Sequence, residues 1–355
     1  MRLSALTLGR VGTLTEPGAM LRRAAVALAV TTCAVAPAAA EDVITLKVSH
    51  LFNNELYLWK HGGQVFVDEA EKASNGRLKF EIYPSAQLGK DTVSTLESGL
   101  ADIAIVVPSY SPDKLPLSSV AELPGMYENA CDGSAKLWAI LQPGGMLAEA
   151  EYAPRGLRPL FVNVLPAYHI VTTAKRAPEN LAALSGLKLR ANGNAMKKTV
   201  SALGAVPVQV PAPEMYDALG RGTVDGGLYS YIGIPDFDLQ DHMKFTAEGP
   251  RLGAGSISYN ISEASWAKVP EDLRQVMQEA ALKAARNLCQ WEETSDREVR
   301  DRIGLTVIDL PAEEIALWEE KVSVVVDSWL DDMKSAGKDG AVLVEAFRNA
   351  DTGGM

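Results

Sequence analysis

The chain has 355 residues, more than one ordinary core accommodates, so two folded units are expected. Hydrophobic residues make up 47% and charged residues 22%, which excludes a disordered chain. The formal net charge of −11 argues against nucleic acid or an anionic membrane as partner, since both require a basic face. It leaves room for an anionic small ligand, which responds to the local field of its pocket.

In chain order, residues 1–40 read as a secretory signal. Arg22 and Arg23 precede the apolar run 24–30, and Ala38, Ala39 and Ala40 supply small residues before Glu41. The apolar run is too short to span a bilayer, so no membrane insertion is expected once the signal is cleaved. Its removal takes away four Arg and one Glu and moves the net charge from −11 to −14. Ile44, Leu46 and Val48 then alternate with polar residues as a first strand. Asn54 is placed to cap a helix with Trp59, Phe66, Ala70 and Ala73 on one face, ended by Gly76. Leu78, Phe80 and Ile82 alternate as a second strand, stopped by Pro84. A helix over 91–98 and the apolar strand 103–107 complete a β-α-β-α-β pattern, the mark of a mainly parallel sheet flanked by helices.

The pattern returns further along. Leu187 and Leu189 form a short strand, 195–203 a helix ended by Gly204, 206–210 a strand stopped by Pro211, 215–219 a helix and 226–232 a strand. Leu96-x-x-Gly99-x-x-Asp102 matches Leu219-x-x-Gly222-x-x-Asp225, each after a short helix and before a strand. Two similar lobes explain the match, and so does the ordinary use of Leu-x-x-Gly to end helices. The last third is helical: Pro270 opens a helix to about Arg302, and Pro311 opens another to Met333. Trp318, Val322, Val325 and Trp329 form a core-facing stripe on the second.

No catalytic constellation is legible. His50, His61, His169 and His242 are dispersed, and there is no nucleophile elbow, Walker loop or dinucleotide fingerprint. Asp236, Asp238 and Asp241 lack the Gly and Glu of a calcium loop and read as a solvated acidic turn. Cys131 and Cys289 are compatible with a disulfide in an exported chain or with two separate buried thiols, and their spacing excludes a metal site. The informative position is Arg190, which ends the short strand of Gly186-Leu187-Lys188-Leu189-Arg190. Ligands of open α/β sheets bind beyond the carboxyl ends of strands, and an Arg fork holds a carboxylate with two parallel hydrogen bonds. By position alone the ordinary reading stands against this, since most strand-end arginines merely sit in water.

The run GLKLR, the strand 206–210, Glu214-Met215-Tyr216 and Gly222-Thr223-Val224-Asp225-Gly226 together resemble the solute-binding proteins of TRAP (tripartite ATP-independent periplasmic) transporters. In the N-terminal half, Gly76-Arg77-Leu78, Tyr83-Pro84, Gln87-Leu88-Gly89 and the stretch from Gly99 to Asp102 agree. Ser265-Trp266-x-x-Val269-Pro270 agrees later, so the resemblance covers nearly all of residues 43–350. It implies an α/β periplasmic binding protein fold of two lobes, each a mainly parallel sheet flanked by helices, plus long C-terminal helices. Lobe I is expected over 41–167 and 255–294, and lobe II over 168–254 and 295–355. The resemblance further implies a non-enzymatic, periplasmic subunit that takes a small organic acid to a TRAP permease driven by an ion gradient. No cofactor is implied, and a metal ion bridging the ligand, as in some relatives, is left open. In this picture Arg190 pairs with the ligand carboxylate. A ligand sensor for a signalling protein and a periplasmic enzyme remain as rival classes.

The chain departs from the common pattern at four places. Tyr168-His169-Ile170 stands where many members have a second Arg, and Gly227-Leu228-Tyr229 where they have Gln-Glu-Asn. Ala212 replaces a Phe, and Phe52 replaces an Asn. Polar contacts are thus exchanged for aromatic surface and space. The expected ligand carries one carboxylate and an apolar or aromatic body. Tyr229, Tyr231 and Phe52 are expected to pack on that body, Tyr168 to be among the ligand-binding residues, and His169 either to donate to the carboxylate or merely to fill a strand. Offset aromatic pairs add about 1 kcal/mol each, whereas a sugar acid would leave hydroxyls unpaired against such walls. Each aromatic residue is also compatible with an ordinary core or hinge position.

Overall fold

The computed structural model describes residues 42–352. The signal-peptide reading falls outside the described residues. Eleven strands form two sheets: β1 (Ile44–Ser49), β2 (Leu78–Tyr83), β3 (Ile103–Val106), β4 (Leu157–Val164), β5 (His169–Thr173), β6 (Lys188–Arg190), β7 (Val206–Val208), β8 (Gly226–Tyr229), β9 (Met243–Ala247), β10 (Ser256–Ser262) and β11 (Thr306–Ile308). The first sheet has the order β2-β1-β3-β10-β4, and the second the order β11-β9-β5-β8-β6-β7. Each sheet has a parallel part built by strand-helix-strand units, β2-β1-β3 and β8-β6-β7. One reversed strand in each sheet, β10 in the first and β5 in the second, pairs antiparallel with both its neighbours, so β4 and β9 run with the parallel part. The result is a two-lobed α/β fold with mixed sheets.

The local signals act where the sequence places them. Asp91 caps the helix Thr92–Glu97 by accepting from Ser94 N at 3.1 Å. Asn53, not Asn54, caps the turn before Trp59, its Oδ1 accepting from Glu55 N and Leu56 N. That segment begins with a π-helical turn, Trp59–Gly63, before the α-helix Gln64–Ala73, and Ala73 faces solvent while Trp59, Phe66 and Ala70 are buried. The strand expected over 226–232 ends at Tyr229, where Tyr231–Gly233 turns as a 3₁₀ helix.

The internal repeat has the same structural role in both halves. Gly99 and Gly222 end their helices at φ of 71° and 67°. Asp102 Oδ2 then accepts from Lys47 N at 2.8 Å on β1, and Asp225 Oδ2 from Lys188 N at 2.9 Å on β6.

The helix Glu271–Arg302 packs on β4 of the first sheet and on the turn Tyr231–Gly233 that follows β8. Cys289 on this helix and Cys131 on the helix Ala130–Leu141 form a disulfide. In the helix Ala312–Ser335 the stripe Trp318, Val322, Val325 and Trp329 is buried, and Trp329 Nε1 donates to Ser119 Oγ at 2.8 Å. The last helix, Gly340–Arg348, packs on Leu117–Glu122 and Ala130–Leu141. Leu343, Val344 and Phe347 are buried there. No helix among the described residues is long and apolar enough to cross a membrane.

Candidate functional site

The carboxyl ends of β1, β3, β6 and β8 converge on a cleft lined by both lobes, with about 530 Å³ of atom-free space, mouth included. Phe52 follows β1, Ser109 and Tyr110 follow β3, Arg190 ends β6, and Tyr229 ends β8. Each lies where an open sheet offers a binding crevice.

Arg190 is held by the backbone around it. Its Nε donates to Val210 O at 3.1 Å, and Nη1 donates to Leu228 O at 3.3 Å. Asn192 fixes the same carbonyl segment, donating to Val210 O at 2.9 Å and accepting from Val210 N at 3.0 Å. A side chain at Gly227 would meet Arg190 Cβ at 2.9 Å, and one at Gly226 would meet Val171 O at 2.2 Å. Small residues at the start of β8 are therefore what let the arginine lie against it. The guanidinium sits 4.7 Å over the Tyr229 ring.

Arg190 is only 3% exposed and has no ion-pair partner among the described residues. Burial penalises its charge, but the facing phenols of Tyr229, Tyr110 and Tyr168 favour it and keep its pKa above the ordinary value. Burial also pushes the Tyr168 phenol up to about 12, against the pull of Arg190, so it stays neutral. With Nε and Nη1 committed to carbonyls, the remaining donor capacity goes to Tyr168 and the cleft. The rest of the lining is largely apolar, with Leu58, Val107, Met196 and Ile257 among it.

Of the expected site residues, Phe52, Tyr168, Arg190 and Tyr229 come together in this cleft. His169 and Tyr231 do not. They stack on each other at 4.7 Å in a separate surface pocket with Glu248, Asp296 and Arg300. Neighbouring residues along an extended chain point to opposite faces, so Tyr168 turns in and His169 away. The 3₁₀ turn at Tyr231 breaks the alternation that would have kept it beside Tyr229. Burial lowers the His169 pKa to about 4, so it is neutral at pH 7. Tyr231 donates to Glu248 Oε1 at 2.5 Å, and Arg300 holds both oxygens of the same carboxylate.

Sequence reasoning missed Tyr110, Ser109, Asn192 and Asp236. Tyr110 OH accepts from Ala212 N at 2.9 Å and joins the lobes, while Ala212 itself lines the cleft. The end-of-strand argument that found Arg190 applies equally to Ser109 and Tyr110 after β3. Asp236 is not a solvated turn residue: its Oδ2 accepts from Tyr57 N at 3.0 Å across the cleft. Among the described residues no group of acids, His or Cys has the arrangement of a metal site.

The profile of the family described as "Bacterial extracellular solute-binding protein, family 7" matches residues 49–332. The chain belongs to this family. This solute-binding protein is 27% identical over 270 residues to a "Solute-binding protein" of Albidiferax ferrireducens, covering 72% of this chain and 76% of that one. It is 26% identical to the C4-dicarboxylate-binding periplasmic protein of Rhodobacter capsulatus, covering 94% and 97% of the two chains. Among solved structures, it is similar to a TRAP solute-binding protein of Rhodoferax ferrireducens in complex with copurified benzoate. That likeness has a TM-score of 0.76 and 26% identity, covering 86% of this chain and 97% of the other. The family is one of solute receptors rather than enzymes, which fits the lack of a catalytic constellation in the sequence.

Proposed function

We propose that this solute-binding protein captures a small carboxylate with an aromatic or apolar body and delivers it to a TRAP permease in the bacterial envelope. The carrying observation is Arg190: a buried guanidinium with no ion pair in direct contact among the described residues, at the end of an aromatic-walled cleft between two lobes. A buried cation is tolerated when a counter-charge completes it, and the two-oxygen face of a carboxylate matches its planar fork. Phe52, Tyr168, Tyr110 and Tyr229 provide the walls for a ring or branched chain. The benzoate found with a similar protein supports the same ligand class. The Cys131–Cys289 disulfide supports an oxidising compartment, as the periplasm is.

The proposed lobes are 41–167 with 255–294, and 168–254 with 295–355, the last helix excepted. The strands of each sheet fall wholly within these ranges. Ligand favours closure by its differential affinity for the closed form.

A thermal-shift panel of carboxylates tests the reading, since a ligand of the folded state raises the unfolding midpoint by mass action. Benzoate, hydroxybenzoates and branched aliphatic acids are expected to raise it, and hexuronates to leave it unchanged. A hexuronate that binds more tightly than every aryl or branched acid contradicts the proposal.

A further inference from the structure

We propose that Glu122 is a proton-carrying partner of the anion site: with a carboxylate seated against Arg190 it holds a proton, taken up on binding wherever the free protein has it ionised. This rests on the ligand class proposed above and adds a coupling to it. Glu122 ends the 3₁₀ segment Leu117–Glu122 and is fully buried. Its Oε1 accepts from Ser256 N at 3.3 Å and from Ser256 Oγ at 3.1 Å. Oε2 makes no hydrogen bond of normal geometry among the described residues, and the Ser109 side chain interacts with the carboxyl. Ser109 and Ser256 both line the ligand cleft. Oε2 also lies 3.4 Å from the position of a Cβ on Gly193, three residues beyond Arg190. The carboxyl thus sits at the seam where the Arg190 turn of one lobe meets the other lobe.

The charge balance of this seam depends on occupancy. The groups in the field of Glu122 are Arg190 from β6 and the phenols of Tyr127, Tyr152 and Tyr168. All three phenols are held above their ordinary pKa by burial, so Arg190 is the cation that favours ionised Glu122. Burial raises the Glu122 carboxyl to about 8, with its Ser256 bonds and then Arg190 opposing the rise. A ligand carboxylate seated on Arg190 offsets the positive field that favours ionised Glu122 and places a second negative charge nearby. Two anions cannot share one buried cation without cost, so Glu122 binds a proton. Oε2 is the oxygen free to hold it, and the new O–H donates toward Ser109 on the cleft wall. The bound form then carries more protons than the free form. Affinity is therefore full below the free-protein pKa and falls as pH rises through it, approaching tenfold per pH unit.

The test is calorimetric titration of the purified protein with benzoate, itself ionised throughout, from pH 6 to 9.5 in buffers of different ionisation enthalpy. Wild type is expected to take up almost no proton at pH 6 and close to one at pH 9, with weakening affinity. Glu122→Gln, whose amide stays neutral, is expected to take up none and to lose the pH dependence. The buried imidazoles His50 and His169 stack on Trp59 and Tyr231, away from this seam. Proton uptake that persists in Glu122→Gln overturns the inference, and so does pH-independent binding by wild type. The wild-type titration decides alone if the variant does not fold. Absence of carboxylate binding at every pH overturns the ligand class as well.

Discussion

Arg190 and Tyr229 form a cation–π pair, the guanidinium 4.7 Å from the ring centroid, each at the carboxyl end of its own strand. The pair sits in the second lobe, where β6 and β8 are hydrogen-bonded neighbours. It stabilises the guanidinium without neutralising it, which leaves the cleft positive at one point and apolar around it. That is the electrostatic condition for taking one carboxylate and an uncharged body.

The ring of Tyr229 should matter more than its hydroxyl. The buried hydroxyl has no hydrogen-bond partner among the described residues, so Tyr229→Phe is expected to leave the thermal midpoint the same or raise it slightly. Tyr229→Leu removes the aromatic face and is expected to weaken benzoate binding by about 1–2 kcal/mol, roughly five- to thirtyfold. Calorimetry on the two variants separates the roles.

Closure should depend on Gly193. Its φ is +71°, and an added Cβ would meet Ser109 Cβ at 2.7 Å from the facing lobe. Gly193→Ala is expected to combine about 1–2 kcal/mol of backbone strain with a block to close approach. The measurement is small-angle scattering with saturating benzoate: wild type contracts on binding, and the variant remains more extended and binds at least tenfold more weakly.

Much of this arrangement was legible in the sequence. Strand alternation, Pro and Gly stops and the repeated Leu-x-x-Gly-x-x-Asp gave the strand-helix-strand units. The aspartates Asp102 and Asp225 were readable as a repeat before their shared bond to a strand N–H was known. Arg190 followed from its place at a strand end. What stayed hidden depends on contacts between distant segments. The pairing of β4 with β10 brings together residues about a hundred positions apart, and no local pattern encodes it. Asp236 looked solvated because its partner, Tyr57 N, lies 179 residues away. His169 and Tyr231 were grouped with their neighbours Tyr168 and Tyr229 by proximity in sequence, and one alternation and one turn sent them to another pocket.

Acid should destabilise the protein through its buried imidazoles. Burial lowers His50 and His169 to about 4, from an ordinary 6.5. The folded state therefore holds them neutral while the unfolded chain protonates. The stability each contributes is present above pH 6.5 and is lost as pH falls toward 4. Thermal midpoints at pH 7 and pH 5 are expected to differ less in His169→Gln than in wild type. Equal differences would exclude His169 from the effect.

The Cys131–Cys289 disulfide joins residues 158 apart and ties the long helix to the helix Ala130–Leu141. Closing so long a loop constrains the unfolded chain strongly, and its loss is expected to cost about 2–5 kcal/mol. Denaturant unfolding with and without reductant measures this, and Cys131→Ala with Cys289→Ala should reproduce the reduced midpoint.

Calorimetric titration of benzoate into wild type, Arg190→Lys and Arg190→Ala tests the proposed pairing of Arg190 with the ligand carboxylate. Removing one partner of a buried charge pair costs about 2–5 kcal/mol, so Arg190→Ala is predicted to weaken binding by a factor on the order of 30 to several thousand. Arg190→Lys, which keeps the charge and loses the fork, should fall between the two. A folded Arg190→Ala protein that binds benzoate as wild type does would contradict the account.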